Sequence, residues 1–236
     1  MYYYGYDISY IVLVLPCILL SLWASSNVNS TFKKYSTHRS MHGITGAQAA
    51  WRVLQTNGVT GVRIERVSGN LTDHYDPKAN VIRLSDSVYD STSVAAIGVA
   101  AHEAGHAVQY AQSYGPIHLR AAIIPITNLG SKLAMPLILL GILFGLASDL
   151  SYFFVYAGIA CFGFSLIFQL ITLPVEFNAS RRAMVAIEQT GMLTADEQYG
   201  AKKTLSAAAM TYVAATAVAL AQLLRLLSIF GRRRND

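Results

Sequence analysis

Five consecutive residues, His102-Glu103-Ala104-Gly105-His106, carry the strongest chemical signal in this 236-residue chain. Residues four apart share a helix face, so the two imidazoles can converge on one metal ion. Glu103 projects beside them, where it can hold and deprotonate a water molecule. Zinc suits this donor set: it is borderline-soft, redox-inert, and content with two His, a carboxylate and an open position. A zinc-activated water and a polarised carbonyl are what amide hydrolysis requires. The bland alternative is a surface helix with ordinary polar residues. It fits poorly, because residues 94–101 and Ala107-Val108 are apolar, and burying such groups unpaired is costly.

A third protein ligand is needed, and spacing leaves it open. His38, His42, His74, His118 and the carboxylates are candidates. The longer metzincin motif would need a histidine where Gln112 stands. An intramembrane site-2-type protease would bury its motif in a spanning helix and supply an aspartate from a later Asn/Asp-Gly segment, which the late apolar blocks lack. Glu176, in Pro174-Val175-Glu176-Phe177-Asn178-Ala179-Ser180-Arg181-Arg182, is the favoured candidate. Otherwise it reads as a carboxylate at a helix N-terminus, where the dipole welcomes it.

The elements that must position these groups are legible upstream. Thr45 caps an expected helix over 46–57 closed by Gly58. Residues 62–67 alternate like a strand, and 80–84 (Asn80, Val81, Ile82, Arg83, Leu84) read as another, with Asp76-Pro77 turning between them. The motif helix is expected over 93–112. Residues 24–132 hold ten Lys/Arg and six Asp/Glu, so most of the charge lies there.

Elsewhere charge is scarce. Only 13% of residues are charged and 53% are hydrophobic, against about 25% charged for a soluble domain. Disorder is excluded, and the apolar residues gather in blocks, as in an integral membrane protein. The net charge of +5 fits cytoplasmic-side Lys/Arg better than a nucleic-acid footprint. Cys17 and Cys161 sit in apolar runs as packing residues rather than a disulfide.

Block 8–23 follows a tyrosine cluster with no preceding Lys or Arg, so it reads as an uncleaved anchor with Tyr6 and Trp23 at the interfaces. Blocks 133–147 and 152–173, the latter ending at Pro174, read as a transmembrane hairpin joined by 148–151. Gly141 and Gly145 form a small-xxx-small pattern that could let them pack. Residues 207–230 place Leu220, Leu223, Leu224 and Leu227 on one face. They read as a docked or interfacial helix, with a fourth span as the alternative. Lys33, Lys34, Arg39, Lys132, Arg181 and Arg182 all flank one side, and 148–151 has no charge but Asp149. This expects an outside N-terminus and a catalytic region facing the cytoplasm across the plasma membrane. The domain plan is an anchor (1–23), a catalytic region (24–132), a hairpin (133–173) and a helical region (174–236).

His102-Glu103-Ala104-Gly105-His106 within an apolar helix, LTDHYDPKANVIRLS at 71–85 and LPVEFNASRRA at 173–183 together resemble the YugP-type membrane zinc metallopeptidases, from about residue 33 to 234. The chain is more distantly similar to the HtpX and CAAX-prenyl proteases. The resemblance implies a mainly α membrane protein with an α+β zincin-like, gluzincin catalytic domain. It implies His102, His106 and Glu176 as zinc ligands and Glu103 as general base. The HtpX-type pattern has an aspartate where Ser180 stands, so a second-shell role falls to a weaker hydroxyl. By analogy 80–84 would be a substrate-binding edge strand, and His74 or Tyr75 an oxyanion donor. Both of these also read blandly, as core strand and turn residues. The expected partners are a protein or peptide substrate and the lipid bilayer. The rival readings are a scaffold with a structural zinc and a true intramembrane protease.

Overall fold

The computed structural model describes residues 8–145 and 148–231. The N-terminal tyrosine cluster with Tyr6, and Arg232, Arg233 and Arg234, lie outside them. The chain is mainly helical, with one small sheet. A π-helical turn, Tyr10–Val14, leads into α1 (Leu15–Ser36), followed by α2 (Gly46–Thr56). The strands β1 (Arg63–Val67), β2 (His74–Asp76) and β3 (Val81–Ser85) precede α3 (Val94–Ala111), α4 (Gly115–Leu143), α5 (Asp149–Thr190) and α6 (Ala195–Gly231).

The chain divides into two compact units. One contains residues up to 23, 119–173 and those from 212 onward; the other contains 24–118 and 174–211. In the second unit, α2 opens with a capping box: the Thr45 hydroxyl accepts from the Gln48 N–H while the Gln48 side chain accepts from the Thr45 N–H. Ser93 caps α3 by a single bond, its hydroxyl accepting from the Ala96 N–H. Val53 and Leu54 of α2, Ile82 and Leu84 of β3, Ile97 and Val108 of α3, Ile187 of α5 and Leu205 of α6 form one apolar core. That core fixes the motif helix from several sides.

The sheet order is β1-β3-β2, with β1 parallel and β2 antiparallel to β3. The expected edge strand, Asn80 to Leu84, is therefore the central strand, and its ladder is filled on both sides. Val81, Ile82, Leu84 and Ser85 are buried, while Asn80 lies in the turn with φ +51°. The apolar run marked burial correctly, but alternation says nothing about which strands flank it. The open edges belong to β1 and β2.

Among the described residues, four helices are long and apolar enough to cross a membrane: Tyr10–Ser36, Gly115–Leu143, Asp149–Thr190 and Ala195–Gly231. Between 11% and 28% of each apolar window is buried within the chain, so an apolar surround must cover the rest. The first helix runs beyond the expected end at Trp23, and the second starts well before 133. The third does not stop at Pro174 but carries it internally. Proline removes one backbone donor, a loss that neighbouring helices can compensate. Leu220, Leu224 and Leu227 are exposed, while Leu223 packs against the cluster of Ile138, Val155, Ile159 and Phe230, so most of the expected leucine face of 207–230 is uncovered. Gly141 does meet α5, where a Cβ would lie 2.8 Å from the Ser151 carbonyl oxygen, but Gly145 meets nothing and has φ +77°. It follows α4 in a left-handed conformation, so only half of the small-xxx-small pattern packs. Cys17 and Cys161 are both free thiols.

Candidate metal centre

α3 delivers His102 and His106 from adjacent turns, and α5 brings Glu176 across to them. Close approach of the two helices depends on Gly105, since a Cβ there would lie 2.7 Å from the Ala179 carbonyl oxygen. His102 Nε2 is 3.3 Å and His106 Nε2 is 3.6 Å from the same atom, Glu176 Oε2. Tetrahedral ligands at Zn–N and Zn–O distances near 2.1 Å stand about 3.4 Å apart. One candidate donor atom from each of the three residues lies within 4.8 Å of the others. The donor set and its dimensions thus fit zinc.

Glu176 is 3% exposed and His106 8%, so the site is largely withdrawn from solvent. Both imidazoles turn Nε2 toward Glu176 and Nδ1 toward polar partners: His102 Nδ1 lies 3.1 Å from Ser180 Oγ, and His106 Nδ1 lies 3.0 Å from Gln109 Oε1. Outer hydrogen bonds of this kind orient ligand imidazoles. Ser180 therefore stands beside His102, one helical turn after Glu176.

Glu103 is partly exposed beside the three-residue cluster. Burial pushes its carboxyl up to about 7, opposed by the charge of His102 and reinforced by Glu176 and Asp73. The backbone N–H of Tyr75 donates to it and lowers it slightly. Asp73 itself accepts from the Ser85 N–H at 2.8 Å and the Ser85 hydroxyl at 2.9 Å. Burial raises its carboxyl above the usual range despite those bonds.

The structure does not gather every candidate. His74 is exposed, with Nδ1 2.8 Å from the Thr72 carbonyl and Nε2 3.4 Å from Arg83 Nη1. The Tyr75 hydroxyl donates to Asn80 Oδ1 at 2.8 Å, and its ring lies against Tyr110. His118 packs edge-on to Tyr110, and His38 Nδ1 bonds the Lys34 carbonyl. Among the described residues, His102, His106 and Glu176 are the one group of three or more His, Cys, Asp or Glu able to share a metal.

Several contributors escape the motif. Gly105 occupies a variable position of the five-residue signature, and Gln109 stands three residues beyond His106. Asn178 and Arg182 lie on the Glu176 helix, four residues apart. Gln109 offered a usable signal: a lone amide in an apolar helix, one turn past a ligand, needs a partner if buried.

Comparison with known proteins adds a relation. Residues 10–231 match the family described as "Putative neutral zinc metallopeptidase". The chain is 47% identical over 227 residues to "Putative membrane protease YugP" of Bacillus subtilis (strain 168), covering 96% of this chain and 99% of that one. No solved structure matches it.

Proposed function

The chain belongs to this neutral zinc metallopeptidase family, and from that premise we propose a membrane-bound endopeptidase with gluzincin-like chemistry. His102, His106 and Glu176 hold the zinc, and Glu103 is the general base. The observation that carries this reading is the convergence of two Nε2 atoms on Glu176 Oε2 at 3.3 and 3.6 Å, beside a carboxylate that is not needed as a ligand. When bound there, zinc supplies Lewis acidity, acidifying water and polarising a carbonyl at neutral pH.

Every other step falls to the chain's own groups. Glu103 takes a proton from the attacking water and passes it to the leaving amine nitrogen. Burial raises that carboxyl in the metal-free chain, the direction that strengthens a proton acceptor. Ser180 and Gln109 hold the imidazoles in orientation. The substrate is a protein or peptide in extended form. Its main chain would align along the free edge of β2, since Tyr75 of that strand already turns its N–H to Glu103. Tyr75 and His74, already engaged with partners, could serve as oxyanion donors only by leaving them.

The four apolar helices and the membrane protease among the relatives support a bilayer location. With all four crossing, 37–114 and 191–194 fall on one side, and the Lys/Arg of 37–114 favour the cytoplasm there. Arg232, Arg233 and Arg234 would share that side only if 207–230 did not cross.

The test is Glu103→Gln in purified protein, assayed on an unfolded polypeptide with zinc counted in parallel. The enzyme reading expects cleavage to fall by about 10²-fold or more with zinc retained. A scaffold with structural zinc expects no cleavage in either protein.

A further inference from the structure

The ring proton of His106 is fixed by Gln109, whose orientation can be traced from Arg182. A guanidinium only donates. Arg182 Nε lies 2.7 Å from an Asn178 side-chain atom, which must therefore be Oδ1. That oxygen lies 2.9 Å from the Gln109 amide, so the facing atom must be Nε2. The Val175 carbonyl, 2.8 Å from the same nitrogen, imposes the same choice independently. Gln109 is fully buried, and its remaining atom, Oε1, is an acceptor 3.0 Å from His106 Nδ1. Nδ1 must carry a hydrogen, which leaves Nε2, 3.6 Å from Glu176 Oε2, as the ring nitrogen of His106 open to a metal.

His102 differs. Its Nδ1 faces the Ser180 hydroxyl, which can donate or accept, so nothing there fixes the proton. Arg182 is itself held, bonding Gln112 Oε1 at the end of α3 and lying over the Tyr114 ring at 5.9 Å.

We propose that Gln109, its amide nitrogen turned to the Val175 carbonyl and to the Asn178 oxygen that Arg182 also holds, keeps a hydrogen on His106 Nδ1 and so reserves Nε2 for zinc. Gln109 is the positioning residue, and the Val175 carbonyl and the Asn178 oxygen set its direction. The proposal rests on the His102–His106–Glu176 reading of the metal site but not on peptidase activity.

The test uses full-length protein with 15N-labelled histidine, stripped of zinc, with His106 signals identified by their loss in His106→Asn. Wild type should show a hydrogen on His106 Nδ1. Gln109→Leu should show mixed tautomers at His106, with zinc affinity, read by competition with a chromophoric chelator, down roughly 10–100-fold. Arg182→Met should leave the tautomer and the affinity nearly unchanged, because the Val175 carbonyl alone still holds the Gln109 amide nitrogen. A folded Gln109→Leu protein that keeps both the tautomer and the wild-type affinity overturns the proposal. Should Gln109→Leu not fold, the wild type decides instead: His106 without a hydrogen on Nδ1 overturns the proposal. Wild type that binds no zinc would sink the metal reading, while the metal-free tautomer would still decide this inference.

Discussion

Gly105 and Ala179 bring two helices within backbone contact: a Cβ on Gly105 would sit 2.7 Å from the Ala179 carbonyl oxygen and 3.3 Å from its carbonyl carbon. Ala179 is three residues past Glu176, and Gly105 immediately precedes His106. The spacing that brings the carboxylate to both imidazoles is therefore set by a missing side chain. Backbone cannot yield as a flexible side chain can, so the helices must separate or tilt if the gap is filled.

Gly105→Ala should cost about 1–3 kcal/mol from overpacking and weaken zinc binding, because Glu176 moves with α5. Gly98→Ala is the control on the same helix. Its Cβ would meet Ala201 at an ordinary 3.4 Å, and alanine gains up to about 1 kcal/mol in helix propensity. Thermal unfolding and chelator competition would read both variants. A Gly105→Ala protein with unaltered zinc affinity would show that the close approach does not position the site.

Glu176 should be required for the metal itself. Wild-type protein is expected to carry about one zinc per chain, and Glu176→Ala should lose it on dialysis against a mild chelator. The fall in affinity should exceed the roughly 10–100-fold of an outer-partner loss. Zinc retained at the wild-type level in Glu176→Ala would send the third-ligand assignment elsewhere. Elemental analysis of the two proteins decides it.

The five-residue signature and the motif helix were legible because both depend on local spacing: Ser93 caps α3, and His102 and His106 share one face. Glu176 was a candidate from its place after an apolar block and gained weight from family resemblance, but no local pattern links it to residues 70 positions earlier. The role assigned to Asn80–Leu84 failed for the same reason. Strand order is a non-local property, and nothing within VIRLS says that β1 and β2 will flank it on both sides. Pro174 misled because helix-breaking rules describe water-exposed helices, whereas α5 runs through it. Gln109, Asn178 and Arg182 became meaningful only when α3 and α5 were brought together.

The four-span reading makes a topological prediction. With Cys17 and Cys161 replaced, Ser148→Cys should react with a membrane-impermeant maleimide in intact cells. Ser68→Cys, in the turn after β1, should react only after permeabilisation. The reverse pattern would put the metal centre outside the cell. Labelling of both in intact cells would contradict the topology altogether.

The zinc-free protein should lose stability as pH rises toward neutrality, through Glu103. Its carboxyl titrates at about 7 when folded, against 4.5 ordinarily. Between these values the folded state holds a proton that the unfolded state has released, so unfolding releases that proton and becomes more favourable as pH rises. The contribution is fully present below about 4.5, declines by at most about 1.4 kcal/mol per pH unit, and is gone above about 7. Glu103→Gln cannot ionise and should lack this slope. Every other group is common to both proteins, so the informative quantity is the difference between the two stability profiles in excess chelator. Parallel profiles from pH 5 to 7.5 would show that Glu103 is already ionised in the folded, metal-free chain. Burial would then not hold it protonated, and its tuning as a base near neutrality would depend on the metal.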